Sequence, residues 1–355
     1  MVNTDTLIIG AGQAGLAAAY YLQQRGVEFL ILESAPAAGA AWDSRYDSLR
    51  LFSPAWASGL PGLAWPGSPM RFPSRAETAD YLRAYAAHFR FPVLANQQVT
   101  RLAAAAPGGY VAETAAGGRF TAQRVIIATG PYTAPRIPSW AEQLPAHVAQ
   151  LHSRDYRRPA QLAGTGPVAV VGSGNSALQI AVDLAQTGRP VFVAFDEKTP
   201  AVPNSHLTWT FLALTGLMRV PQHTALGGLI RNRPEPVVSN DLVRLRRFAN
   251  ATFIGRAEAA LTTGAIRGQG AVSAPLEAVV WATGYRPDYP WLDLPLLNDD
   301  GTPRHRRGLT DVPGVAFLGL NWLDSRNSAL LNGAGADARR VVAALLQARP
   351  VPKAN

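Results

Sequence analysis

The apolar positions of this chain fall mostly into short unbroken runs, the pattern of strands buried on both faces rather than of strands half in water. The run at residues 6–9 leads into Gly10-Ala-Gly12-Gln-Ala-Gly15 and then an apolar-faced helical stretch to Arg25. Gly26 stops that helix, and a second run at residues 27–32 ends on Glu33. The order strand, glycine turn, helix, strand, acid then recurs. A run at residues 168–171 leads into Gly172-Ser-Gly174-Asn-Ser-Ala177 and a helix to about Gln186. Gly188 stops the helix, and a run at residues 191–195 ends on Asp196.

Each residue type in this plan has a physical task. Gly10 permits a tight turn, Gly12 lets backbone approach a pyrophosphate, and Gly15 lets the helix pack closely on its strand. The free N–H groups and partial positive charge of the helix end favour phosphate. Glu33 lies 23 residues after Gly10 and Asp196 lies 24 after Gly172, where a carboxylate can accept ribose hydroxyl protons. The two halves also close alike. Residues 124–130 run into Ala128-Thr129-Gly130, and residues 278–284 run into Ala-Thr283-Gly284. One such glycine motif is weak on its own, because a plain helix–strand turn produces it. Two copies, each with strand, helix, acid and closing turn, predict two dinucleotide sites.

The remaining pattern predicts an α/β fold of two Rossmann-like dinucleotide-binding domains of the three-layer ββα type, the second inserted into the first. The expected bounds are 1–163 with 276–355 for one domain and 164–275 for the other. Residues 41–74, rich in Pro, Gly and Trp, read as ordered loop. Residues 77–89 read as an amphipathic helix, and 99–120 as a strand meander turning at Gly108-Gly109 and Gly117-Gly118. A proline-rich stretch at 131–166 connects the domains. Helices are expected at 206–217 and 336–347, and a last strand at 315–319.

Composition narrows the chemistry. With 48% apolar and 16% charged residues among 355, the chain can bury two cores. It has no cysteine, which excludes disulfides, thiolate metal sites, iron–sulfur clusters and a redox Cys pair. The turn Asp299-Asp300-Gly301 reads as a turn, and no metal site is expected. No apolar run spans a bilayer and no signal peptide is visible, so the expected location is the cytoplasm of a bacterium. The net charge of +9 is scattered Arg, densest at Arg244, Arg246 and Arg247, with no interleaved aromatics. That reads as a solvated basic surface rather than a nucleic-acid face.

The motifs together resemble the flavin-containing monooxygenases, more narrowly the short bacterial FAD/NAD(P)-binding flavoproteins often labelled potassium-transport flavoproteins. The resemblance spans nearly the whole chain. Besides both fingerprints and both Ala-Thr-Gly turns, it rests on Gly39-Ala-Ala-Trp42, Tyr46-Asp-Ser-Leu-Arg-Leu-Phe-Ser-Pro54, Leu60-Pro61-Gly62, His152-Ser-Arg-Asp-Tyr156, His305-Arg-Arg-Gly308 and Ser328-Ala-Leu-Leu331. It implies an FAD-dependent monooxygenase driven by NADH or NADPH. One oxygen of O2 would pass through a C4a-(hydro)peroxyflavin to a small soft nucleophile, a sulfide or amine, or to a ketone. Small flavoproteins of this type are often homodimers.

By position, the resemblance assigns Gly10, Gly12, Gln13, Gly15 and Glu33 to the FAD pyrophosphate and ribose, with Ala128, Thr129 and Gly130 closing that site. Trp42, Phe52 and Ser53 would lie near the isoalloxazine, Val99 near the adenine, and Asn332 at the pyrimidine end of the flavin. Gly172, Gly174, Asn175, Ser176, Asp196, Thr283 and Gly284 would hold the nicotinamide cofactor. His152 would position nicotinamide or donate a proton; the bland reading is a hydrogen-bonded interdomain residue. Asp324 and Arg326 are flavin contacts or a salt-bridged loop.

Two departures stand out. Many family members carry an Asn where Phe52 stands, which motivates a second reading: an NAD(P)H oxidase or acceptor reductase without productive oxygenation. The family's longer signature before His152 is reduced to His152 and Tyr156, with Ala146 and Val148 at its other positions. Asp196 would bind the 2′-hydroxyl of NADH and repel a 2′-phosphate, with Lys198 and Ala177 as counterweights. NADH use at least equal to that of NADPH is expected.

Overall fold

The structure is a computed structural model and describes residues 2–106 and 108–347. Each glycine-turn motif opens a sheet of its own. In the first, β1 (Val2–Ile9) runs into α1 (Gln13–Gln23) and returns as β2 (Phe29–Leu32), parallel to β1 with Ile8 opposite Ile31. The chain continues through the single turn α2 (Ala40–Asp43), α3 (Arg75–His88), β3 (Val93–Leu94), β4 (Val99–Ala104), β5 (Tyr110–Thr114) and β6 (Arg119–Ile127).

Strand β6 serves both layers. It is parallel to β1 along nearly its whole length, from Val2 opposite Phe120 to Ile9 opposite Ile127, and its first half is antiparallel to β5, with Ala112 opposite Phe120. Residues Val315–Phe317 pair in parallel on the other side of β6. The meander and the apolar run before Ala128, which the pattern presents as separate features, are thus one strand. Gly109 and Gly117 both take positive φ at the turns between these strands. Leu16 and Leu22 of α1, Leu82 and Tyr85 of α3, and Val341 and Leu345 of the last helix share one core with this sheet.

The second sheet is wholly parallel, in the order 251–253, 191–194, 168–171, 278–281, 149–152. Val168 and Val170 face one core cluster while Ala169 and Val171 face another, so both faces are buried, as a parallel sheet requires. Helix α4 (Asn175–Ala185) packs on one face. All five strands lie between residues 149 and 281, between the two stretches of chain that build the first sheet. The second sheet therefore extends past 164–275 at both ends. Ala149–His152 is half exposed and carries a mixed pattern, which hides it in the sequence.

After this sheet's third strand come α5 (His206–Thr215), α6 (Ala225–Arg231) and α7 (Asp241–Leu245), and α8 (Leu331–Gln347) ends the described chain. Helix α3 begins at Arg75 rather than 77, because Ser74 and Glu77 form a reciprocal capping box. Helix α5 stops at Thr215, where Gly216 takes φ 64°. Helix α8 begins at Leu331, five residues before its apolar periodicity. The glycines in its first turns serve close packing: a Cβ on Gly333 would stand 1.9 Å from the Asn327 carbonyl, and one on Gly335 would stand 2.6 Å from Pro61.

Candidate functional site

Two cradles of the same construction lie at the ends of β1 and of the strand 168–171. Gly10 has φ 106°, and a Cβ there would sit 2.7 Å from the carbonyl oxygen of Ala128. Gly172 has φ 148°, and its Cβ would sit 2.2 Å from the carbonyl of Ala282. Each Ala-Thr-Gly turn therefore passes directly behind the first glycine of its own fingerprint. Gly15 presses α1 onto the turn, with a virtual Cβ 1.9 Å from the Gly10 oxygen. The equivalent position in α4 is Ala177, fully buried.

The middle glycines are different. A Cβ on Gly12 or Gly174 would meet nothing within 4 Å. Both are helix N-caps without a side-chain cap, and neither helix has an acid in its first turn. By contrast α3, α5 and α6 are capped by Ser74, Ser205 and Thr224. The two fingerprint helices thus present unsatisfied N–H groups and a positive dipole end to open space, which suits a pyrophosphate.

Glu33 stands at the mouth of the first cradle. Its Oε2 accepts from the Ala11 N–H at 2.7 Å and its Oε1 from the Ala35 N–H at 2.9 Å, leaving lone pairs on a fixed carboxylate. The Gln97 N–H donates to the Glu33 carbonyl at 2.8 Å, which brings buried Val99 to this end of the sheet. Gln13 joins three elements: its Oε1 accepts from Trp42 Nε1 and its Nε2 donates to the Ala329 carbonyl, both at 3.3 Å. Thr129 is exposed and Gly130 takes φ 77°.

In the second cradle, Asn175 Oδ1 is buried without a partner among the described residues. The Asp196 N–H donates to Ser173 Oγ at 2.8 Å. The Asp196 carboxylate accepts from the Lys198 N–H at 3.0 Å and faces Arg256 at 3.9 Å. Arg256 is a basic neighbour that sequence spacing does not reveal, since it arrives from the loop after the edge strand 251–253. Ser176 lies 3.4 Å from the Tyr46 hydroxyl, which also donates to Gln179 at 3.0 Å. The loop after Trp42 is thereby tied to α4.

The chain crosses between the two sheets twice, and the crossings are paired. Ala134–Pro135 is antiparallel to Tyr285–Arg286, and the Arg136 N–H donates to the Gly284 carbonyl at 2.9 Å. Thr283 Oγ1 donates to the Arg136 carbonyl. His152 sits against this ribbon, 3% exposed: Nε2 donates to the Gly284 carbonyl at 3.0 Å and Nδ1 accepts from the Arg154 N–H at 3.1 Å. Both ring nitrogens of His152 are thus engaged, which ties it to the ribbon. Burial holds the His152 imidazole below the usual histidine range, and burial with Arg231 and Arg340 does the same to His305. Unfolded imidazoles take protons near pH 6.5 that the folded ones refuse, so stability is lost as pH falls through that value. The melting temperature is expected to be flat above about pH 7 and to decline below about pH 6.5. In His152→Gln that decline is shallower.

A cavity of about 530 Å³ lies between the Trp-rich loop, α5 and the start of α8. Trp56, Trp65, Trp209, Met218, Arg219 and Asn332 are among its lining residues. Trp65 Nε1 and Asn332 Oδ1 are buried and unpartnered among the described residues. Phe52 stacks on Trp209 with centroids 6.1 Å apart, which places it at the cavity's edge. Ser53 is buried and its hydroxyl is 2.8 Å from that of Ser58. Asp324 pairs with Arg307 at 2.6 Å and with Arg340 at 3.5 Å, and Arg326 faces Glu235 at 3.7 Å, so both belong to a salt-bridged loop.

A family profile described as pyridine nucleotide-disulphide oxidoreductase matches residues 7–211. The chain is 39% identical to an uncharacterized CzcO-like oxidoreductase of Geobacillus kaustophilus, over 95% of this chain and 97% of that protein. It is 29% identical to the indole-3-pyruvate monooxygenase YUCCA8 of Oryza sativa, over 97% and 91%. Among solved structures it resembles a flavin-containing monooxygenase from Stenotrophomonas maltophilia, with TM-score 0.78, 28% identity and coverage of 98% and 99%.

Proposed function

From its membership of the pyridine nucleotide-disulphide oxidoreductase family, to which this chain belongs, we infer that it acts as an FAD- and NAD(P)H-dependent monooxygenase. It is a flavoprotein oxidoreductase of the flavin-containing-monooxygenase type. The carrying observation is the pair of uncapped helix ends, each open at its middle glycine and closed behind its first. The dithiol relay in the family's name is excluded here, because the chain has no cysteine. Among the described residues no helix is long and apolar enough to cross a membrane.

The N–H groups after Gly12 would hold the FAD pyrophosphate and Glu33 its ribose, while the Gln13–Trp42 hydrogen bond fixes the indole that the resemblance puts near the flavin. The N–H groups after Gly174 hold the nicotinamide pyrophosphate, with Asn175 beside it. The nicotinamide unit is assigned the residues 149–281 that carry the second sheet. Bound flavin supplies hydride acceptance and O2 activation, so that NAD(P)H, a proton, O2 and a soft nucleophile yield NAD(P)+, water and the oxygenated product. The cavity between the Trp-rich loop, α5 and the start of α8 would receive that nucleophile.

Phe52 favours a second reading, an oxidase releasing hydrogen peroxide, because it places a stacked ring where the family has an amide. Turnover with methyl phenyl sulfide separates the two. Sulfoxide matching NAD(P)H consumed supports the monooxygenase; hydrogen peroxide matching NAD(P)H with no sulfoxide overturns it.

Cofactor choice turns on Asp196. Its carboxylate suits a 2′-hydroxyl, while Arg256 and Lys198 would favour a 2′-phosphate once that carboxylate is gone. The parent is expected to use NADH at least as well as NADPH. Asp196→Ala is expected to raise the NADPH-to-NADH ratio of kcat/KM by about tenfold, one like-charge contact removed. A parent preference of about 50-fold for NADPH would contradict the role given to Asp196.

A further inference from the structure

Helix α5 carries Leu207, Phe211 and Leu214, spaced to share one face. They are 84%, 60% and 83% exposed, and Trp209 is the one buried side chain of this helix. Leu217 follows, and α6 exposes Leu226 and Leu229 to 51% and 55%. Singly exposed leucines need no explanation, whereas two successive helices presenting their large apolar side chains to water mark a contact surface.

The charge of this segment says what covers it. Between residues 199 and 234 there is no Asp or Glu, while Arg219, Arg231 and Arg233 are present. A two-fold contact made by this segment would set one basic, acid-free surface against an identical one, with no carboxylate in the segment to offset the charge. An anionic surface has the opposite sign.

We propose that α5 and α6 form an interfacial docking face for an anionic lipid surface. The leucines and Phe211 enter the headgroup–acyl boundary, and the arginines lie at the phosphates. Leu212 and Ala213 of the same helix line the cavity beneath, so docking sets the cavity beside the bilayer. This inference is independent of the reaction assigned to the cavity.

Vesicle flotation of the full, flavin-loaded chain tests it. Phosphatidylcholine vesicles with about 30% phosphatidylglycerol are expected to carry the protein, and pure phosphatidylcholine to carry about tenfold less. Raising salt from about 0.1 M to about 0.5 M releases it. The combined Leu207→Gln, Phe211→Gln and Leu214→Gln variant floats about tenfold less, with flavin content unchanged. Arg231→Gln with Arg233→Gln reduces binding to the anionic vesicles alone. Absence of flotation, or flotation unaffected by the triple change, overturns the proposal. So does a triple variant that turns a dimer into a monomer by light scattering while flotation stays the same, because the face then belongs to a second copy.

Discussion

Gly174→Asp is expected to raise the KM for the nicotinamide cofactor by about 100-fold while leaving flavin content and melting temperature at parent values. Gly174 has φ −97° and ψ 175°, an extended conformation open to any residue, and a Cβ there meets nothing. Aspartate is moreover a strong N-cap, so α4 itself gains. The loss is confined to binding. The new carboxylate takes the N–H groups of the first turn and sets a negative charge where the pyrophosphate must lie. Two charges about 4 Å apart repel by about 4 kcal/mol at a surface-like dielectric, of which screening leaves roughly the 100-fold effect. Gly174→Ala adds a methyl toward the pyrophosphate but no charge, and is expected to raise KM by less than Gly174→Asp does, which separates the steric from the electrostatic part of the loss. Steady-state kinetics with either nicotinamide cofactor gives the answer. An unchanged KM in Gly174→Asp would remove this helix end from the cofactor site.

Gly15→Val has the opposite profile. The substituted Cβ would stand 1.9 Å from the Gly10 carbonyl oxygen and 3.3 Å from Ile8, in a position with no flexible neighbour to yield. Relief requires α1 to move off β1, and α1 carries the FAD cradle and packs against α8. Overpacking of this kind costs about 3 kcal/mol, or about 4 °C in melting temperature for a chain of 355 residues. The variant is expected to purify without flavin absorbance and to melt at least that much lower. Gly12→Ala, whose Cβ points into open space, is expected to keep the fold. Yellow Gly15→Val protein with a parent melting temperature would show that the helix–strand spacing is not limiting.

These contrasts show what the sequence can convey. Both fingerprints were legible because glycine spacing, apolar runs and a terminal acid are local signals. The Ala-Thr-Gly repeats were legible as a pattern, yet not as the backbone that closes each cradle, since that contact joins residues far apart in the chain. The strand Ala149–His152 was hidden by its edge-like, half-exposed pattern. The start of α8 was hidden because Gly333 and Gly335, read alone, argue against helix, whereas contacts with Asn327 and Pro61 demand them. Arg256 beside Asp196, Ser58 beside Ser53 and Gly284 beside His152 are tertiary pairings without a periodic trace. The helix at α5 was legible, but periodicity does not say which face stays uncovered.

The two chain crossings have a mechanical consequence. Gly130 and Gly284 each leave a cradle and enter the same short ribbon, stitched by the Arg136 and Thr283 hydrogen bonds and braced by His152. The closing turns behind Gly10 and Gly172 are therefore joined by one hydrogen-bonded strut, and a change that breaks it reaches both cradles.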